Sequence, residues 1–178
     1  MIKVKFMWRY HPVQRVHRNV GFGIQILIAL VFCTGGLRAQ NCAPVPPGLV
    51  GWWKADGNPT DAVGTNNGTL IGDTGYSAGV VGQAYRFDGY LDGVRVGKPA
   101  ALQLQTFTIE SWIKRSDAAK ASLDAYGGGA IFGYGYGGYQ ISLLDNGRLA
   151  LTKNGESFVG SVRNVADTNW HHVAVSKS

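Results

Sequence analysis

The sequence predicts an all-β protein of two packed sheets, a sandwich or a barrel, behind an N-terminal leader. Short segments rich in Val, Ile, Thr, Tyr, Phe and Trp follow one another, and clusters of Gly, Asn and Asp separate them. Many short strands at near-regular spacing are typical of sandwiches and barrels. The predicted strands are 49–54, 83–88, 94–96, 107–115, 138–144, 148–153, 157–162 and 170–177.

Segment 107–115 carries the clearest strand pattern. Alternation places Phe107, Ile109, Ser111 and Ile113 on one face, and Thr108, Glu110, Trp112 and Lys114 on the other. Bulky residues on both faces indicate a strand inside a two-sheet sandwich. Asp145-Asn146-Gly147 and Asn154-Gly155 predict hairpin turns, because Asn and Gly accept positive φ at low cost. Residues 116–125 lack an apolar stripe and are predicted to be a loop with at most one helical turn.

Residues 1–39 have the regions of a secretory signal peptide. They hold six Lys and Arg and no acidic residue, which accounts for the whole net charge of +6. A basic stretch precedes the apolar run 20–33, and small residues then lead to Ala39 as the predicted cleavage point. The run has 14 residues, short of the roughly 20 that span a bilayer, so cleavage is favoured over an uncleaved anchor.

The predicted protein is therefore secreted or displayed at the cell surface, with no stable membrane span after cleavage. The remaining chain is electrically neutral, which argues against nucleic acid as a partner. Residues 40–48 are a proline-rich spacer, and residues 49–178 form the folded domain.

Five blocks of the domain, in order, resemble the laminin-G-like jelly-roll domains of the concanavalin A-like lectin/glucanase superfamily. They are residues 48–58 together with Asp61 and 66–70, then 81–89, 94–96, 107–114 and 170–175. The resemblance implies an antiparallel two-sheet jelly-roll sandwich that binds glycans or proteins. Because that family continues beyond the last block with further strands, the resemblance also implies a domain that is incomplete at its C-terminus.

The acidic residues argue against a glycosidase. Retaining glycosidases need two carboxyl groups about 5–5.5 Å apart. The chain has only Glu110 and Glu156 as glutamates, and no second carboxylate shares the face of Glu110. His171 and His172 are adjacent on a strand and point to opposite faces, so they cannot converge on one metal ion. The protein is predicted not to be an enzyme.

Three aspartates are candidate calcium ligands. Asp56 and Asp61 lie on a loop rich in Gly and Asn, and Asp88 follows a predicted strand. Calcium takes six to eight oxygen ligands, several of them from carboxylates and backbone carbonyls. The resemblance adds weight to calcium, whereas ordinary Asx turns explain the same residues equally well.

Aromatic residues are the candidate ligand contacts. Sugar-binding surfaces stack pyranose rings on Trp and Tyr. The candidates are Trp53 and the three tyrosines of a glycine-rich segment, Tyr134, Tyr136 and Tyr139. The alternative is that these tyrosines only cover the edge of the sandwich.

These observations predict an exported, non-catalytic module that recognises carbohydrate or a cell-surface protein, with calcium as a candidate cofactor. The alternatives are an N-terminal accessory module of a longer secreted glycoside hydrolase and a structural domain of a surface adhesin.

Overall fold

The computed structural model describes residues 2–9, 45, 47–123, 127–135, 137–153 and 156–178. Within these ranges the chain is all-β, with a single turn of 3₁₀ helix, Ala100–Leu102. The strands are β1 (Ile2–Arg9), β2 (Leu49–Trp53), β3 (Thr69–Ile71), β4 (Gly75–Ala78), β5 (Gln83–Phe87), β6 (Gly93–Arg95), β7 (Phe107–Arg115), β8 (Gly128–Gly133), β9 (Tyr139–Leu144), β10 (Arg148–Lys153), β11 (Ser157–Asn164) and β12 (Trp170–Lys177). No described helix is long and apolar enough to cross a membrane.

The strands form three antiparallel sheets. The largest has the order β12-β7-β1-β5-β4, and β2 also pairs with β1. The second has the order β11-β10-β9-β8, and β3 pairs with β6 in a small third sheet. The predicted antiparallel jelly-roll sandwich is confirmed.

The core lies between the two large sheets. Phe107, Ile109 and Ile113 on β7 belong to the same buried cluster as Ile141 and Leu143 on β9. Interdigitation of the inner faces of two sheets is the usual way in which a sandwich buries its apolar residues.

The two faces predicted for β7 are confirmed. Phe107, Ile109, Ser111 and Ile113 are all buried, whereas Trp112 on the opposite face is exposed. The hairpin predicted at 145–147 is also confirmed, because Gly147 has φ of 80° and its N–H donates to the carbonyl of Leu144 at 2.9 Å. The second predicted turn joins strands that do pair, β10 and β11, although Asn154 and Gly155 lie outside the described residues.

Eight observed strands match the predicted ones to within two residues at either end. Four strands were not predicted. β3 and β4 have three and four residues, too few to show a pattern, and β8 has three glycines among its six residues. The residues predicted as a loop, 116–125, contain no described helix, with 124–126 outside the described residues.

The fourth strand, β1, falls within the residues that predict a signal peptide. Ile2–Arg9 forms a strand of the largest sheet, whereas residues 10–44 lie outside the described part of the chain. Cleavage of the leader after Ala39 stays a prediction.

Candidate functional site

Asp61 organises the loop that follows β2. Asp61 is 7% exposed, and its carboxylate accepts four hydrogen bonds. The backbone N–H groups of Trp52 and Val63 donate to Oδ1 at 2.9 and 3.2 Å. The backbone N–H and side-chain Nδ2 of Asn66 donate to Oδ2 at 3.3 and 3.0 Å. Burial alone would raise the pKa of Asp61, but the hydrogen bonds from Trp52, Val63 and Asn66 outweigh burial and lower it.

The other two candidate calcium ligands also accept backbone hydrogen bonds. Oδ1 of Asp56 accepts the N–H of Gln83 at 2.9 Å, and Oδ1 of Asp88 accepts the N–H of Tyr90 at 2.7 Å. In the part of the chain that the structure describes, no group of three or more His, Cys, Asp or Glu side chains could hold a metal.

This donor set does not fit a calcium ion. A cation would need the carboxylate oxygens of Asp61 as ligands, but N–H groups of the loop already donate to both of them. The cation would have to displace these N–H groups. The hydrogen bonds match the alternative interpretation, in which the aspartates hold turns. Calcium binding stays a prediction, and it would require the loop around Asp61 to rearrange.

The two histidines have separate partners, as alternation predicts. Nε2 of His171 lies 2.8 Å from Oδ1 of Asp167, and this hydrogen bond lowers the pKa of Asp167. Nε2 of His172 lies 3.6 Å from Oε2 of Glu110, and its ring packs on Trp112 with centroids 5.2 Å apart. These are pairs on opposite faces of β12 and do not converge on one centre.

A cleft of about 630 Å³ opens among β5, β6, β8 and the segments that follow them. Most of its wall is apolar, as is usual in small-molecule sites. The lining residues include Trp53, Tyr85, Phe87, Leu91, Asp92, Val94, Arg95, Val96, Leu102, Ser122, Ile131, Phe132 and Tyr134. This cleft is the candidate site.

Two of the four predicted ligand contacts line the cleft. Trp53 is 4% exposed, and its Nε1–H donates to the carbonyl of Asn66 at 2.9 Å, so its ring is a wall of the cleft and not a surface platform. Tyr134 packs edge-on against Phe132 with centroids 5.3 Å apart, and burial raises its pKa to about 12.

The other two are not brought to the cleft. Tyr139 is absent from the lining; its ring packs edge-on against Phe107, and Nζ of Lys177 lies 5.2 Å from its centre. The interpretation of Tyr139 as a residue that covers the sandwich therefore fits its position better. Tyr136 lies outside the described residues.

Two polar atoms in the cleft residues lack an internal partner. Oη of Tyr85 and Oδ1 of Asp92 are buried, and neither forms a hydrogen bond with any described residue. Tyr85 is only 1% exposed, and burial raises its pKa, so its hydroxyl stays protonated and able to donate. Buried polar groups in proteins are nearly always hydrogen-bonded, so these two atoms are unsatisfied in the free protein. Both are enclosed, and a ligand in the cleft reaches them only when the cleft wall moves.

A strained loop forms one rim of the cleft. Leu91 has φ of 54°, is 76% exposed and lines the cleft. Left-handed backbone at a non-glycine residue costs about 1–3 kcal/mol. The loop is held by Asp92, whose Oδ2 accepts the N–H of Asp88 at 2.7 Å, and by Asp88, which accepts the N–H of Tyr90. Asp88, one of the predicted calcium ligands, thus takes part in holding the rim, and calcium binding by Asp88 stays a prediction.

Sequence reasoning missed Tyr85, Phe87, Asp92 and Phe132 as site residues. The signal was present, because Tyr85 and Phe87 are two residues apart on β5, as are Phe132 and Tyr134 across the end of β8. Alternation identifies inward-facing aromatics but cannot tell a filled core from an open cleft.

Residues 97–178 match the family model of the Concanavalin A-like lectin/glucanases superfamily. The matched segment includes the cleft-lining residues from Gly97 to Gly135 and the strands β7 to β12. The predicted resemblance is thereby confirmed for this part of the chain. No match to the chain was found among the curated proteins or among the solved structures.

Proposed function

We propose that this protein, whose residues 97–178 belong to the concanavalin A-like lectin/glucanase superfamily, is an exported, non-catalytic module that binds carbohydrate. The binding site is the cleft between the sheets. The observation that carries the proposal is the cleft of about 630 Å³ with aromatic walls.

The chemistry of the cleft supports a sugar ring as ligand. Pyranose rings present apolar C–H faces and a rim of hydroxyls, so they pack on aromatic walls and hydrogen-bond to a few fixed polar groups. Trp53, Phe87 and Phe132 supply the walls. Both buried oxygens lie just out of reach in the free protein; when the bound sugar shifts the cleft wall, the hydroxyl of Tyr85 donates to a sugar oxygen and Oδ1 of Asp92 accepts from a sugar hydroxyl.

Two observations support a binding role without hydrolysis. Among the described residues that line the cleft, Asp92 is the only carboxylate, whereas hydrolysis of a glycosidic bond uses a pair of carboxyl groups. Glu110 lies beside His172 on the strands β7 and β12, and neither residue lines the cleft.

The pattern of residues 1–39 supports export. A basic stretch, an apolar run and a small-residue cleavage segment are the parts of a secretory signal, and an exported lectin-like module meets glycans at the cell surface.

The test is binding of the purified full chain to a panel of cello-, xylo-, chito- and galacto-oligosaccharides, followed by calorimetric titration of those that bind. Tyr85→Phe keeps the ring and removes one hydrogen bond. We expect this variant to bind about 3–10-fold more weakly, because a hydrogen bond contributes about 0.5–1.5 kcal/mol. The bound oligosaccharide should be recovered uncleaved.

Tyr76→Phe is the matched control. The hydroxyl of Tyr76 is also buried without a described partner, and its ring packs 5.6 Å from that of Tyr85, but Tyr76 does not line the cleft. It should bind as the wild type does. Equal binding by the Tyr85→Phe variant, or no binding to any member of the panel, would overturn the proposal.

A further inference from the structure

Three exposed apolar side chains lie near one another at the mouth of the cleft. Tyr90, Leu91 and Leu123 are 66%, 76% and 68% exposed. The backbone N–H of Leu123 donates to the carbonyl of Gly89 at 3.2 Å, which brings Leu123 beside the segment that carries Tyr90 and Leu91. These three residues are named here the rim patch. A single exposed apolar side chain is normal on a protein surface, whereas several beside one cleft indicate a binding surface.

The rim patch continues the wall of the cleft. Gly89, Leu91 and Ser122 line the cleft, whereas Tyr90 and Leu123, each the next residue along the chain from a lining residue, do not. Leu91 therefore belongs to both the cleft and the patch, and Tyr90 and Leu123 lie just outside the mouth. A ligand that is longer than the cleft and leaves it over Leu91 would next meet the aromatic ring of Tyr90.

The backbone under the rim patch is held in place before any ligand binds. Oδ1 of Asp88 accepts the N–H of Tyr90, and Oδ2 of Asp92 accepts the N–H of Asp88, both at 2.7 Å. Between these carboxylates Leu91 has φ of 54°. Strained backbone of this kind clusters at ligand clamps and active sites. A loop that is already ordered loses less conformational entropy when a ligand binds, so it is suited to hold one.

The size and charge of the rim patch favour a sugar over a protein or a membrane. A protein partner covers about 20–30 residues on each side, whereas the rim patch has three side chains. Asp88 and Asp92 place negative charge on both sides of Tyr90 and Leu91, which disfavours the anionic surface of a lipid bilayer. A sugar ring stacks its C–H face on an exposed tyrosine and keeps its hydroxyls in water, so it needs only a small patch.

We propose that the rim patch is a second sugar subsite, so that the ligand of this protein is a glycan chain and not a single sugar. One unit of the chain occupies the cleft, and the next unit leaves over Leu91 and stacks on the ring of Tyr90, with Leu123 beside it. The second subsite rests on the proposed function of the cleft and adds to it the class of ligand, an oligosaccharide or polysaccharide.

The experiment is calorimetric titration of the full chain with the sugar series that binds best, from the monosaccharide to the hexasaccharide. The affinity of the wild type should rise with chain length until both subsites are filled, and then level off. Tyr90→Ala should bind the longer members about 3–10-fold more weakly, because the stacked unit loses its aromatic ring, while the shortest member that binds loses less than about twofold. Tyr90→Phe keeps the ring and should bind every member as the wild type does.

Phe158→Ala is the matched control. Phe158 is an aromatic residue on β11 with a similar exposure, 62%, and it does not line the cleft. This variant should bind every member as the wild type does. If Tyr90→Ala binds the longer members as tightly as the wild type, or loses affinity equally at every length, the second subsite is overturned while the cleft remains a sugar site. If no member of the series binds, the proposed function itself fails.

A lipid-binding role has its own outcome. The wild type and Tyr90→Ala are sedimented with vesicles of phosphatidylserine and phosphatidylcholine in the absence of sugar. Neither protein should sediment with the vesicles, because Asp88 and Asp92 repel the anionic surface. Sedimentation of the wild type but not of Tyr90→Ala would show that the rim patch binds a membrane and would overturn the sugar subsite.

Discussion

Among the residues that the structure describes, Asp61 and Arg115 are the buried charged side chains, and both form hydrogen bonds with the backbone. Arg115 is 2% exposed; its Nε donates to the carbonyl of Asp117 at 3.0 Å and its Nη2 to that of Asp145 at 2.9 Å. Asp61 accepts from Trp52, Val63 and Asn66. Hydrogen bonds to charged groups are stronger than those between neutral groups, so each of these residues ties several segments together.

Replacing Asp61 by Ala should lower the free energy of unfolding by about 2–4 kcal/mol, because part-buried N–H donors lose their acceptor. Urea denaturation measures the loss. Asp73→Ala is the control, since Asp73 is an exposed aspartate on the turn between β3 and β4. Equal losses in the two variants would mean that the hydrogen bonds to Asp61 do not stabilise the loop.

The lowered pKa of Asp61 predicts that the folded protein loses stability in acid. Its pKa is lower in the folded state than the ordinary value of 3.8, so its stabilisation is complete above that value and is lost as the pH falls through the folded-state pKa. Between about pH 4 and pH 2 the wild type should therefore lose more stability than Asp61→Asn does. Parallel losses in the two proteins would contradict this assignment.

At the scale of elements, turns with a strong chemical preference were predictable and glycine-rich or very short strands were not. Gly147 ends the β9–β10 turn with positive φ, and its carbonyl accepts the N–H of Val165 at 2.8 Å. A Cβ at this position would lie 2.6 Å from the backbone nitrogen of Ala166. The conformation and the close approach both require glycine.

Gly147→Ala should therefore destabilise the protein by about 1–3 kcal/mol, measured by urea denaturation. Gly93→Ala is the matched control, because a Cβ there meets no atom within 4 Å and its φ is not positive. It should change stability by less than about 0.5 kcal/mol. A Gly147→Ala variant as stable as the control would show that the backbone relaxes at low cost.

At the scale of the whole molecule, patterns of alternation were enough to predict the sandwich but not the site. Alternation in residues 107–115 predicted which side chains share each face of the strand. The structure buries the face that carries Phe107, Ile109 and Ile113. Trp53 and Tyr134 were identified as aromatic candidates, yet Asp92 was not. Asp92 stands out because the fold buries its Oδ1 without a hydrogen-bond partner. The spacing of residues in the sequence does not reveal this burial.

The leader illustrates the same limit. The composition of residues 1–39 predicts a secretory signal peptide. It does not predict the strand Ile2–Arg9, whose pairing partners lie 40 to over 100 residues away along the chain. Register between distant strands is set by matching apolar faces in three dimensions, and a single sequence does not specify it in advance.

The most direct test of the binding account is amide hydrogen exchange on the full chain, with and without the oligosaccharide that binds best. If the cleft is the site, exchange should slow in residues 88–98 and 129–135, which form its rim and one wall. Residues near Trp112 and His172 should exchange at the same rate in both samples. Slower exchange around Trp112 and His172, with none in the cleft segments, would contradict the account.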